Sequence, residues 1–218
     1  MGKGEPTLIN GDGTIPQNSE IILTRVPIAF PPLSTRVRDW SDRKAVHQAI
    51  MTLFDPTLPG EAGSRRATSG ILFRVEDGSA RPHILIQSRV SPASTNDALV
   101  KTDCSGLIPR LVEGSSVRFR IEINAVRCQS RSTRRIAVPE SEIPEWVANT
   151  TLARGLSQIE VRDLEVRVLR AGQTPLRVAR IDGTAIIRNQ AAVLVLIEQG
   201  VGRAKAYGCG LLSVIPEV

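Results

Sequence analysis

The order of apolar segments in this 218-residue chain predicts an α+β protein in which one small unit, strand–helix–strand–strand, occurs twice. Three observations carry that reading. Residues 20–87 hold β-rich runs around one amphipathic helix, Val117–Val126 restarts the series with a strictly alternating strand, and an apolar helix and a short strand close the chain. Two tandem ferredoxin-like (βαββαβ, RRM-like) domains fit this order. The expected division is a flexible N-terminal extension over residues 1–19, a first domain over 20–100 and a second over 101–218.

Each element follows from local chemistry. Glu20–Phe30 (EIILTRVPIAF) is rich in β-formers and reads as a strand that Pro31-Pro32 ends. Ser41 is positioned to cap a helix whose apolar residues Val46, Ile50, Leu53 and Phe54 recur at i, i+4, i+7 and i+8, with Asp55-Pro56 closing it. Gly70–Glu76 and His83–Gln87 read as a strand pair around Asp77-Gly78. Residues 91–101 leave room for no more than a vestigial second helix. In the second half, Val117, Phe119, Ile121 and Ile123 share one strand face. Pro144 opens a helix expected to run to about Leu156. Ile159–Arg170 and Leu176–Arg188 form a hairpin turning at Ala171-Gly172, Ala191–Gln199 is a short apolar helix, and Leu211–Ile215 is the final strand.

Composition narrows the function. The net charge is +6, and four of the 28 basic residues are lysines (Lys3, Lys44, Lys101, Lys205), so 24 are arginines. Arginine's planar fork suits phosphates and guanine edges, which points to a polyanion partner, nucleic acid first. Arginine richness also follows from a GC-rich genome, so charge alone does not assign the partner. Aromatics are only 3% of the chain, too few for a base-stacking platform, and any RNA is expected to be held by its backbone and duplex shape. Cys104, Cys128 and Cys209 lack metal-ligand spacing and His47 and His83 are the two histidines; this argues against a metal site and fits a reducing cytoplasm. No secretory signal, membrane span or cofactor fingerprint is apparent.

Two segments carry chemistry. Gly200, Gly202, Gly208 and Gly210 lie within eleven residues that also hold Arg203 and Lys205. Such a stretch either cradles a phosphate against exposed amides or makes a tight helix-to-strand connection. Its glycine and lysine spacing does not match a Walker loop, and it follows a helix and precedes a strand, the reverse of a dinucleotide fingerprint. His47 lies one residue from the apolar position Val46, at the edge of the buried helix face, with Lys44 three residues before it. A histidine there is either a structural residue or a proton-transfer group, since its ordinary pKa is about 6.5. Arg65-Arg66 follow this helix, and Arg127, Arg131, Arg134 and Arg135 form the densest basic run.

The run QGVGRAKAYGCGLLSVIP (199–216) resembles the glycine-rich signature of the CasE family, the CRISPR RNA-processing endoribonucleases of type I-E Cascade. VHQAIMTLF (46–54) resembles that family's histidine-bearing first helix, FRVE (73–76) its second strand, and HILIQSRVSP (83–92) its third. The resemblance covers residues 20–218 in order, and the family's tandem ferredoxin-like fold matches the pattern reading. It implies a metal-independent endoribonuclease that grips the CRISPR repeat hairpin, cuts precursor CRISPR RNA at the 3′ base of the stem by 2′-hydroxyl attack, and stays on the mature CRISPR RNA as a Cascade subunit. His47 matches the family's catalytic histidine. Lys44 stands where members carry a tyrosine; a lysine there can stabilise phosphorane charge or protonate the leaving oxygen, but cannot copy a phenol. RNA contacts are expected from Arg65, Arg66, Arg127, Arg131, Arg134, Arg135, Arg203 and Lys205, with the four glycines as the loop that approaches the backbone. His83 is expected to be structural. The resemblance implies no cofactor and no metal, with repeat RNA and other Cascade subunits as partners and no membrane. A non-catalytic RNA-binding subunit of the same fold is the alternative.

Overall fold

The computed structural model describes residues 21–61, 64–93, 99–104, 110–129 and 135–217. In the first half, β1 (Ile22–Pro27) is followed by α1 (Pro31–Ser34), α2 (Arg43–Met51), α3 (Arg65–Thr68), β2 (Leu72–Glu76), β3 (His83–Ser88) and β4 (Val100–Asp103). The sheet order is β2-β3-β1-β4, antiparallel throughout. Val46, Ala49 and Ile50 of α2 pack against Val26, Phe73, Val75, Ile84 and Ile86, all buried, because alternate residues of β1, β2 and β3 face the helix. The expected extension over 1–19 and the core of the expected vestigial helix, 94–98, lie outside the described residues.

The second half contains β5 (Ser116–Ile123), the short ribbon β6 (Val126–Cys128) and β7 (Arg135–Ala137), α4 (Ile143–Ala148), the long hairpin β8 (Leu156–Ala171) and β9 (Thr174–Ile187), α5 (Gln190–Gln199) and β10 (Ser213–Pro216). Its sheet order, β10-β5-β9-β8, repeats that of the first half: fourth strand, first, third, second. Both halves therefore have the ferredoxin-like arrangement. Among the described residues, no helix is long and apolar enough to cross a membrane.

Several boundaries differ from the sequence expectation, each for a physical reason. Asp42, not Ser41, caps α2: its carboxylate accepts from the Lys44 and Ala45 amides. Ser41 instead turns to Asp39, whose carboxylate accepts from the Ser41 amide at 2.8 Å and from its side chain. The helix from Pro144 stops at Ala148, and Thr151–Arg154 make a separate 3₁₀ turn. There Thr150 turns extended and its hydroxyl takes the Val147 carbonyl at 3.0 Å, ending the helix. The long hairpin turns at Gly172-Gln173, where Gly172 has φ +66°, which glycine adopts freely. The ribbon β6–β7 was not visible as strands.

The halves meet through charge. Arg74, on the face of the first sheet away from α2, donates to the carbonyls of Arg120 (3.1 Å) and Leu211 (3.0 Å) and to Ser213 Oγ (3.0 Å), while its Nε pairs with Glu76 at 2.6 Å. Arg120 pairs with Glu76 (3.1 Å) and Asp182 (2.6 Å). Glu122, fully buried, receives Arg43 from α2 and Arg167 and Arg180 from the long hairpin. Such a junction holds only when every member is paired, because a lone buried charge is costly.

Candidate active site

Helix α2 sorts its side chains by face. Arg43, Val46, Ala49 and Ile50 are buried, Lys44 and Gln48 are exposed, and His47 is half-buried between them. The His47 ring lies over Phe73, with centroids 6.5 Å apart and planes 13° apart. Its Nδ1 is turned inward without a hydrogen-bond partner, which leaves Nε2 to face the adjoining cleft. Burial holds the imidazole below its ordinary pKa, and the nearby Arg66 charge lowers it further. His47 is thereby kept neutral at pH 7, able to accept a proton.

The cleft, about 290 Å³, is lined by His47, Met51, Asp55, Pro56, Leu58, Arg65 and Arg66. Arg65 donates to the Pro56 carbonyl at 2.7 Å and the Gly60 carbonyl at 3.4 Å, bracing the loop after α2. Arg66 donates to the Ile71 carbonyl at 2.6 Å. Among the described residues, neither guanidinium pairs with a carboxylate within 4 Å.

The glycine-rich stretch comes from the other half and packs here. Gly200 ends α5 at φ +69°, Val201 donates to the Gly210 carbonyl (2.8 Å), and Gly210 donates to the Glu122 carbonyl (2.7 Å). Lys205–Tyr207 make a 3₁₀ turn against α2. A Cβ on Gly208 would stand 2.8 Å from the Phe73 ring, the same ring that lies under His47. Gly200, Gly208 and Gly210 are thus needed for close packing, whereas Gly202 has open space around it and Arg203 is exposed. Lys205 Nζ donates to the Gln199 carbonyl at 2.7 Å, and burial together with the Arg66 charge lowers its pKa.

The remaining predicted residues distribute as follows. The Lys44 stem passes the Gly172 turn of the long hairpin, one helical turn before His47. Arg127 and Arg135 are exposed on the β6–β7 ribbon, Arg127 pairing with Glu142 at 2.6 Å; Arg131 and Arg134 lie outside the described residues. His83 Nδ1 is 2.8 Å from the Arg81 carbonyl, within the β2–β3 turn. The structure therefore brings His47, Arg65, Arg66 and Lys205 together and sets the basic ribbon apart. Phe73 was missed as a site residue: FRVE reads only as strand. Glu122 was missed too, although a charge within the alternating β5 strand was a visible signal.

Comparison with known proteins gives the family and the fold. A family model described as CRISPR associated protein matches residues 22–216. CRISPR system Cascade subunit CasE of Escherichia coli (strain K12) is 29% identical, over 82% of this chain and 95% of the relative. A solved structure of Thermus thermophilus Cse3, bound to an RNA representing a pre-cleavage complex, shares the fold: TM-score 0.67, 22% identity, 90% of this chain and 100% of that one. A chain of a CRISPR RNA-guided surveillance complex, pre-nicking, matches with TM-score 0.62 and 26% identity, covering 89% of this chain and 98% of its own.

Proposed function

The chain belongs to the CRISPR-associated protein family, and from that premise we propose that it is an endoribonuclease acting on CRISPR RNA. It binds the repeat hairpin, cleaves precursor RNA at the 3′ base of the stem without a metal ion, and remains on its product as a Cascade subunit. The observation that carries this reading is the meeting of two distant segments: the His47 helix and the glycine-rich turn both pack on the Phe73 ring. The relative named as a Cascade subunit supports the same assignment.

In the proposed reaction the substrate's 2′-oxygen attacks the adjacent phosphorus. The O2′–P bond forms, the P–O5′ bond breaks, and the products are a 2′,3′-cyclic phosphate and a 5′-hydroxyl. His47, neutral and facing the cleft, takes the 2′-hydroxyl proton. Lys44, exposed one turn earlier, gives a proton to the departing 5′-oxygen. Arg127 and Arg135, exposed on the β6–β7 ribbon, hold the RNA stem, together with the basic run between them, and Arg203 meets the backbone beside the exposed Gly202.

The test is one incubation of the full-length protein with an end-labelled repeat hairpin in EDTA, beside His47→Ala. The wild type is expected to yield a 5′-hydroxyl product, and the variant to be slowed about 10²–10⁴-fold. A hairpin that is bound but left intact by the wild type would establish the non-catalytic binding subunit instead.

A further inference from the structure

We propose that Arg66 is a catalytic residue of this site: it contacts the scissile phosphate in the His47 cleft and neutralises the negative charge that builds on the phosphorane. The inference rests on the nuclease reading above and deepens it.

Placement comes first. Arg66 belongs to the single-turn helix α3, which passes through Gly70 (φ +62°) directly into β2, the strand that carries Phe73. Its Nη1 is anchored on the Ile71 carbonyl at 2.6 Å, so the side chain is half-buried and held before any ligand arrives. A guanidinium has five N–H donors, and among the described residues no other partner takes the rest of the fork, which suits a phosphate in bidentate fashion. Arg65, its neighbour, is turned into the loop by two carbonyls and braces the cleft wall instead.

Charge comes second. The titratable groups lining this cleft are His47 on α2 and Asp55, Arg65 and Arg66 after it; Lys44, also on α2, and Lys205 and Tyr207, on the turn packed against α2, lie outside the lining. Asp55 is the acid among them; its Oδ1 accepts from the Thr57 amide at 2.7 Å and hydroxyl at 2.5 Å, which keeps it ionised, and among the described residues it forms no ion pair with Arg66. Among the described residues Arg66 has no carboxylate within 4 Å, and its charge adds to burial in lowering the proton affinity of both His47 and Lys205. Burial lowers its own pKa as well. A half-buried cation held against a histidine disfavours the empty site, and an anion placed there relieves the cost. The same arrangement serves the proton transfer. Before RNA binds, burial and the Arg66 charge together hold the proton affinity of His47 down; a phosphate on Arg66 cancels the second contribution and raises the basicity of His47 as it must accept a proton. Arg66 itself neither gains nor loses a proton.

The test uses full-length protein, in EDTA, with a repeat hairpin under single-turnover, saturating conditions, and the same hairpin with a 2′-deoxy cleavage position for affinity. The variants are Arg66→Gln, the length-matched Arg66→Met in case glutamine disturbs folding, Arg66→Lys, and Arg36→Gln as an exposed control. Expected is a rate loss of about 10²–10³-fold for Arg66→Gln. Affinity should fall by less than about 10-fold, the cost of one charge contact. The acid limb of its pH–rate profile should move to higher pH. Arg66→Lys should restore the limb position and part of the rate, and Arg36→Gln should behave as wild type. If Arg66→Gln and Arg66→Met weaken binding but cleave at the wild-type rate once saturated, with the limb unmoved, Arg66 is only a backbone contact and the proposal fails while the nuclease reading stands. A wild type that does not cleave ends both.

Discussion

Arg43 and Glu122 form an ion pair of 3.0 Å in which both side chains are almost wholly excluded from solvent, at 1% and 0% exposure. One is on the helix of His47 and the other on the first strand of the second sheet, so the pair fixes that helix against the half that supplies the glycine-rich turn. The other Glu122 oxygen takes Arg167 at 2.9 Å and Arg180 at 3.3 Å.

Removing the carboxylate is therefore more damaging than removing Arg43. Glu122→Ala leaves three guanidinia without their shared acid and should cost about 3–5 kcal/mol. Arg43→Met leaves Glu122 with two partners and should cost less, because two Arg43 nitrogens, Nε and Nη1, have no partner even in the native state. Chemical denaturation of both variants checks the order; equal losses would mean that Glu122 does not hold the cluster together.

The pH dependence of cleavage follows from the environment of His47. Burial and Arg66 depress its pKa, so the folded protein binds this proton more weakly than the unfolded chain. The associated stability is present above the unfolded pKa of about 6.5 and is lost as pH falls through the depressed folded value. Single-turnover rates should be level from about pH 7 upward and decline only below the free-histidine range. A titration of the His47 ring by NMR in the RNA-free protein should give a midpoint below that of a free histidine; a midpoint above it would contradict the account.

Gly208→Ala should uncouple chemistry from binding. Its backbone has φ +84°, and a Cβ would meet Phe73 at 2.8 Å. The added atom pushes on the ring beneath His47, so the cleavage rate should fall further than hairpin affinity, with about 1–3 kcal/mol of lost stability. Gly202→Ala meets no neighbour within 4 Å and pays only for its φ of +73°, about 1–2 kcal/mol. Unfolding curves and single-turnover rates on the two variants separate steric from conformational effects.

Lys44 is tested by Lys44→Ala beside Lys44→Tyr. If its ammonium protonates the leaving oxygen, alanine should lower the single-turnover rate by about 10²-fold or more. Tyrosine, whose phenol O–H can give a proton in place of the ammonium N–H, should recover part of that loss. Two unchanged rates would remove Lys44 from the mechanism and leave it as a neighbour of the Gly172 turn.

Much of the architecture was legible because periodicity reports burial. The alternation over β5 and the helical spacing of Val46 and Ile50 each mark a face that must meet a core. The β6–β7 ribbon escaped because its strands are three residues each, too short to show a period. The arginines were only half legible. Their excess was read as a surface for a polyanion, yet Arg43, Arg74, Arg120, Arg167 and Arg180 are consumed by acids inside the molecule. Arg43 gave a sign, standing three residues before Val46 and seven before Ile50 on the buried stripe of α2. What no local pattern announces is convergence: His47, Phe73, Arg66 and Lys205 become neighbours only when both sheets are in place.

The way the halves are joined has a consequence for how the chain folds. Arg74 leaves its own sheet to bond the backbone of Arg120 and Leu211, and Asp42 accepts the Gly172 amide at 3.1 Å while capping its own helix. These partners are supplied by residues far along the chain, so a first half standing alone would hold Arg43, Arg74 and Glu76 with part of their neutralisation missing. The repeated topology looks modular, but its stability is not divisible. Melting should be a single cooperative event, and the site can be complete only in molecules that have finished folding both halves.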